Sequence, residues 1–177
     1  MNTNIALIGF MGTGKSTIGK ILAAKLNKRF VEIDELIEQK AGKTINTIFQ
    51  QDGEIVFREM EIAAIKQVSL QDDQIIACGG GVVLNTINID RLKQNSFLIY
   101  LTASPDEILK RTSKNSSRPL LNTIDKTFRI KELLKFRNPL YEKAADITIN
   151  TTKLNIEAVV QIIIQKLKED ASFNFQE

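Results

Sequence analysis

The stretch NIALIGFMGTGKSTIGKILAAKL, residues 4–26, constrains this chain more than any other. An apolar run ends at Gly9. A glycine-rich loop follows, and Lys15 and Ser16 open a segment with helical spacing, in which Ile18, Ile21, Leu22 and Leu26 share a face. The loop fits G-x-x-x-x-G-K-[ST], with Gly9, Gly14, Lys15 and Ser16 in the fixed places, between a strand and a helix as that motif requires. Backbone N–H groups and a helix N-terminus then converge on one spot and make it a phosphate cradle. ATP or GTP is the expected ligand, seated on Gly12, Thr13, Gly14, Lys15, Ser16 and Thr17. Lys15 can reach the β- and γ-phosphates, and the Ser16 hydroxyl can serve Mg²⁺.

The remaining segments alternate in the same way. Strands are expected at 29–34, at QIIACGGG, at 96–101 and at 146–150. Helices are expected at 15–27, from Glu35 to a stop at Gly42, and over 44–70 in two pieces with a break near Gly53. Another begins at Ser104 (an N-cap) and Pro105 (a first helical position). The next, over 125–144, must bend or end near Pro139, and an amphipathic helix closes the chain before a frayed tail, 171–177. Residues 113–124 read as a polar loop. Strands alternating with helices give an α/β fold with a parallel sheet covered on both faces. Ligands in such sheets bind beyond the carboxyl ends of the strands.

Composition narrows the chemistry. The chain of 177 residues has no histidine, so acid–base work falls to Asp, Glu or Lys, and a hard metal must be held by oxygen. Its one cysteine, Cys78, excludes an intrachain disulfide and reads as a small core residue at a strand end. A net charge of +3 with no dense basic block gives no reason to expect nucleic acid. The N-terminal apolar run is too short for a leader or a membrane span, so a cytoplasmic protein is expected, and a monomer.

Two further sets of residues follow expected strands. Glu32 and Asp34 in FVEIDE, two apart, would lie on one face at the end of strand two, facing metal and acceptor; alternatively they cap the next helix. The run Gly79, Gly80, Gly81 suggests close approach to backbone, or else a turn needing several positive φ values. Arg58 has Glu54 and Glu61 at helical spacing, which alone would be a solvated ion-pair ladder. Arg118 and Arg137, taken alone, would be surface charges.

Together, GFMGTGKST, FVEIDELIE, DGEIVFREME, GGGVV, RPLL and FRNPLY have the order and spacing found in shikimate kinases, and the chain resembles that family from about residue 5 to residue 165. The resemblance implies a three-layer, nucleoside-monophosphate-kinase-like P-loop fold with a five-stranded parallel sheet. It implies one domain over 1–177, with a core of 1–170, a mobile lid at about 112–124 and a substrate-binding helical region at about 33–61. It implies that ATP, with Mg²⁺, phosphorylates the 3-hydroxyl of shikimate, a step toward chorismate and the aromatic amino acids. Asp34 would hydrogen-bond the acceptor hydroxyl as base or orienter. Arg58 and Arg137 would hold the carboxylate. Gly80, flanked by Gly79 and Gly81, would offer backbone to the ring, and Phe49 and Phe57 an apolar wall. Arg118 would come with the lid to the transferring phosphate, beside Lys15. Arg111 would lie against adenine. Ser16 and Glu32 would serve the metal. Family members usually carry Asp where this chain has Glu32; the extra methylene either reaches further toward Mg²⁺ or displaces a bridging water. A gluconate-type kinase would share the loop and topology but has little use for two carboxylate-binding arginines. A non-catalytic binding module would not need Lys15, Asp34 and Arg118 together.

Overall fold

β1 (Asn4–Ile8) is buried at every position, as an apolar strand covered on both faces must be. β2 (Arg29–Glu32), β3 (Gln74–Ala77), β4 (Ser96–Thr102) and β5 (Ile147–Asn150) join it in the order β2-β3-β1-β4-β5, with every neighbouring pair parallel. The computed structural model describes residues 2–113 and 125–173. Side chains of β1 alternate between two cores. Ile5 and Leu7 meet α1 (Lys15–Lys25) and α8 (Ile156–Glu169), through residues such as Ile18, Leu22 and Ile163. Ala6 and Ile8 face the other layer, α2 (Ile33–Ala41), α3 (Ile45–Gln51), α4 (Gly53–Val68) and α7 (Lys126–Ala144), through Ile37, Ile48, Ile65 and Leu134. The result is the expected three-layer α/β architecture.

Parallel pairing fixes where the site can be. β1 and β3 are neighbours, with Leu7 opposite Ala77. The phosphate loop after β1 and the glycine run after β3 therefore leave the sheet side by side, at the carboxyl rim. The run lies inside the sheet order, next to the central strand.

Local signals explain most boundaries. Gly42 ends α2 in the left-handed region at φ +66°, and Gly53, at φ +87°, opens α4 with one residue between it and α3. The Ser104 side chain accepts from Glu107 N at 3.3 Å and caps α6 (Pro105–Thr112).

Five expectations change. Strand two stops at Glu32, and Ile33 already starts α2, so Asp34 lies in a helical first turn and not on a strand face with Glu32. α1 ends at Lys25, two residues early, with Asn27 at positive φ. α7 runs through Pro139 to Ala144, so of the two expected outcomes, a bend or an end near the proline, the end is ruled out. The proline withholds a donor only from the carbonyl of exposed Lys135, while buried Leu134, Arg137, Tyr141 and Ala144 hold the helix on both sides. A 3₁₀ turn (Val82–Leu84) and α5 (Thr86–Lys93) occupy a stretch where the sequence reading placed nothing. The tail is not frayed through Phe173: that ring is 5% exposed, lies 6.1 Å from Phe97, and its segment bridges to Asn2. Of the expected lid, Thr112 closes α6, whereas 114–124, and Arg118 with them, lie outside the described residues.

Candidate active site

The phosphate loop is tied by its own side chains. Lys15, buried, donates from Nζ to the carbonyls of Gly9 and Phe10, both at 2.8 Å. Thr13 Oγ1 donates to the Phe10 carbonyl at 2.8 Å. A cleft of about 170 Å³ opens over the loop, lined by Gly12, Gly14, Lys15, Ser16 and Thr17 among others. Arg111 is held by four polar contacts within the chain. It pairs with Glu107 at 2.8 Å and donates to the Gly12 carbonyl at 3.2 Å, and to the Thr151 hydroxyl and carbonyl at 3.1 and 3.2 Å. Its guanidinium braces the phosphate loop against the turn after β5.

Beside the loop, the Ser16 hydroxyl and the Glu32 carboxylate are hydrogen-bonded. Burial raises the pKa of Glu32; the bond to Ser16 opposes that, and the charge of Asp34 adds to it. Glu32 takes the N-cap position of α2, yet its side chain makes no cap bond and is left for Ser16. This pair passes the test for a hard cation, since both donors are oxygen and one is anionic. No group of three or more His, Cys, Asp or Glu fit to hold a metal occurs among the described residues. An ion here would complete its shell with phosphate oxygens and water, as Mg²⁺ habitually does.

A second cleft, of about 410 Å³, adjoins the first and falls in the size range of small-molecule sites. Phe49 and Phe57 form one wall, ring centroids 4.8 Å apart. Arg58 and Arg137 line this larger cleft, and Lys15 lines the smaller. Met11, Ser16, Glu32, Asp34, Gly79 and Gly80 line both, so the two clefts have a common wall. Neither arginine is a free surface charge. Arg137 is 3% exposed and donates to the Gly80 carbonyl at 3.3 Å. Arg58 pairs with Glu54 and Glu61, each at 3.0 Å. The ladder expected for Arg58 exists, but Glu61 is fully buried, so it is not a solvated one.

The glycine run owes its composition to space. None of Gly79, Gly80 and Gly81 has a positive φ, which removes the strained-turn reading. A Cβ on Gly79 would lie 3.0 Å from both Asp34 Oδ1 and Glu61 Oε1. One on Gly80 would come within 3.4 Å of Met11 N. One on Gly81 would fall into the Arg58 guanidinium, 2.5 Å from Cζ. Room is made first for the site's own side chains.

Two residues gained weight only from the structure. Glu61 has its pKa raised to about 7, chiefly by burial, with Arg58 pulling the other way. Tyr141, fully buried, donates its hydroxyl to the Gly80 carbonyl. Glu61 looked like a member of an exposed ladder, and only burial marks it out. Cys78, 1% exposed, is the core residue expected, and burial pushes its thiol pKa up.

A nucleotide loop and an acceptor cleft meeting at one rim of a parallel sheet define the class: a P-loop kinase on the nucleoside-monophosphate-kinase-like fold. The chain belongs to the shikimate kinase family, whose model, described as "Shikimate kinase", matches residues 11–168. It is 47% identical to the shikimate kinase of Thermodesulfovibrio yellowstonii over 92% of this chain and 94% of that protein. It is 45% identical to that of Caldanaerobacter subterraneus subsp. tengcongensis, again over 92% and 94%. The structure of the shikimate kinase from Acinetobacter baumannii in complex with shikimate superposes with a TM-score of 0.93 at 34% identity, covering 97% of this chain and 96% of that one.

Proposed function

We propose that this chain transfers the γ-phosphoryl group of ATP to the 3-hydroxyl of shikimate, giving shikimate 3-phosphate and ADP on the route to the aromatic amino acids. Family membership supports the reaction. The observation that carries the acceptor is the pair Arg58 and Arg137, both lining the larger cleft where it adjoins the phosphate loop. A gluconate-type kinase gains nothing from that pair beyond what one cation supplies.

The residues divide the work. Gly12, Thr13, Gly14, Lys15, Ser16 and Thr17 receive the ATP phosphates, with Arg111 stiffening the loop from behind. Asp34 takes the hydrogen bond of the attacking hydroxyl and accepts its proton. Arg58 and Arg137 clamp the carboxylate, Phe49 and Phe57 pack the ring, and Gly79, Gly80 and Gly81 keep the floor open. Lys15 spreads the developing charge on the equatorial oxygens, the main demand of phosphoryl transfer. Arg118 is assigned the same charge-spreading task on its R-P-L-L motif alone. Ser16 and Glu32 hold Mg²⁺, which when bound draws negative charge from the phosphate oxygens.

We further read the protein as one domain and as a cytoplasmic monomer. No helix among the described residues is long and apolar enough to cross a membrane. The test of the reaction is ADP release from MgATP with shikimate, gluconate or a nucleoside monophosphate offered in turn. Release that depends on shikimate is expected. Release with gluconate or the monophosphate, and none with shikimate, overturns the reading.

A further inference from the structure

Arg137 and Tyr141 are four residues apart on α7, a spacing that puts both on one helical face. Both donate to one acceptor, the carbonyl of Gly80. The two bonds are unequal. Arg137 Nη1 stands at 3.3 Å, beyond the usual N–H···O range. The Tyr141 hydroxyl makes the closer contact. Its ring cannot drift, because it stacks on Tyr100 with centroids 4.9 Å apart, and Tyr100 in turn donates to Asn138 Oδ1 at 3.0 Å. Arg137 meanwhile has a buried Nε without a hydrogen-bond partner among the described residues. A guanidinium that is 3% exposed and short of acceptors is a costly thing to bury, and an anion relieves the cost.

We propose that Tyr141 is a positioning residue for anion recognition: by taking the Gly80 carbonyl, its hydroxyl keeps the Arg137 guanidinium available to the acceptor's carboxylate. Without that hydroxyl the carbonyl lacks its better donor. Arg137 is the group at hand to replace it, and its fork turns from the cleft toward the backbone. Tyr141 touches no substrate in this scheme. Its effect passes through Arg137, and so it rests on the reading that Arg137 binds the carboxylate. Burial pushes the Tyr141 hydroxyl pKa up, so it stays a donor across the working pH range.

The test compares binding of shikimate and of its neutral carboxamide by calorimetry, in the wild type, Tyr141→Phe, Arg137→Gln and the double variant. Tyr141→Phe is expected to weaken shikimate about tenfold, the scale of one lost charge-assisted hydrogen bond, while changing carboxamide binding less than about twofold. MgATP affinity should hold. The double variant should bind shikimate no more weakly than Arg137→Gln. Equal loss for acid and amide, or none for either, overturns the proposal by reducing Tyr141 to packing. Tyr100→Phe, which keeps the stack, should leave the preference for the acid intact; a loss equal to that in Tyr141→Phe would also overturn it. Should Tyr141→Phe fail to fold, the Tyr141 hydroxyl proton in the wild type decides: a slowly exchanging resonance that persists when shikimate binds, while the Arg137 Nε–H shifts with shikimate and not with the carboxamide, supports the proposal, and a hydroxyl that exchanges freely or is released when shikimate binds overturns it. If Arg137→Gln keeps the wild-type preference for the acid, the carboxylate reading itself has failed, a result separable from any effect of Tyr141.

Discussion

At Gly81 a single missing methyl group makes room for the Arg58 guanidinium. A Cβ there would occupy the position of the Arg58 guanidinium, the far end of a flexible side chain, so the arginine yields before the backbone does. Gly81→Ala is therefore expected to fold with nearly unchanged melting temperature and MgATP affinity, and to raise the KM for shikimate about tenfold or more, the loss of one charged contact. Steady-state kinetics with each substrate varied in turn checks this. Glu61 behaves differently because it is buried. Its pKa is raised from 4.5 to about 7, so the folded state binds the proton more tightly than the unfolded chain. The stabilisation is complete below pH 4.5, where both states are protonated, and it is lost as pH rises through about 7. Urea titrations of the ligand-free protein should show stability falling across that window, and Glu61→Gln should flatten the fall. Neither effect was readable beforehand. Glycine was visible at 79–81, but which side chains fill the cleared space depends on how α4 meets the rim. Glu61 reads as one of five charges on a helix until burial is known.

Helices and strands were mostly legible, and where they were not the reason is specific. The β1–loop–α1 unit is a local device, written in contiguous residues, and it folds as read but for the last two residues of α1. Asp34 was misplaced because FVEID has the alternation of a strand, and the turn into α2 at Ile33 follows from where β2 must stop beside Ala77. Pro139 does not end α7, since tertiary anchoring on both sides outweighs one lost backbone bond. The 3₁₀ turn and α5 escaped because GVVLNTINIDRLK has no strong period. Gly42 was read correctly, and it offers a clean measurement. Nothing lies within 4 Å of a Cβ placed there, so Gly42→Ala meets only backbone strain at φ +66°. Loss of about 1 kcal/mol in unfolding free energy is expected, with Gly42→Asn milder and both KM values unchanged.

Over the whole molecule, the two cores are joined through one sheet, and the chain's described ends meet. Asn2 N donates to the Ser172 carbonyl at 3.0 Å, and Phe173 fills the edge of the core built on Ile5, Leu7 and Phe97. Phe173→Ala should cost about 3 kcal/mol in denaturant unfolding, on the scale of aromatic truncation in cores, and leave kcat untouched, because this packing lies on the face away from the acceptor cleft. Polar composition hid that role, since ASFNFQE has two aromatic residues among small and polar neighbours. The sheet order also explains why sites so distant in sequence could be joined only by resemblance beforehand. Residues 9–17, 32–34, 49–61, 79–81 and 137 are brought to one rim by a strand order that no local pattern announces.

The wall common to the two clefts has a consequence for ligand design. Two pockets divided by one partition need no long tether between their occupants. A single compound with a polyphosphate end for the smaller cleft and a carboxylated ring for the larger collects both sets of contacts, and gives up its translational and rotational freedom once. Such a bisubstrate inhibitor would compete with ATP and with shikimate alike. Its selectivity over other nucleotide-binding enzymes would come from the ring half, where the two arginines stand.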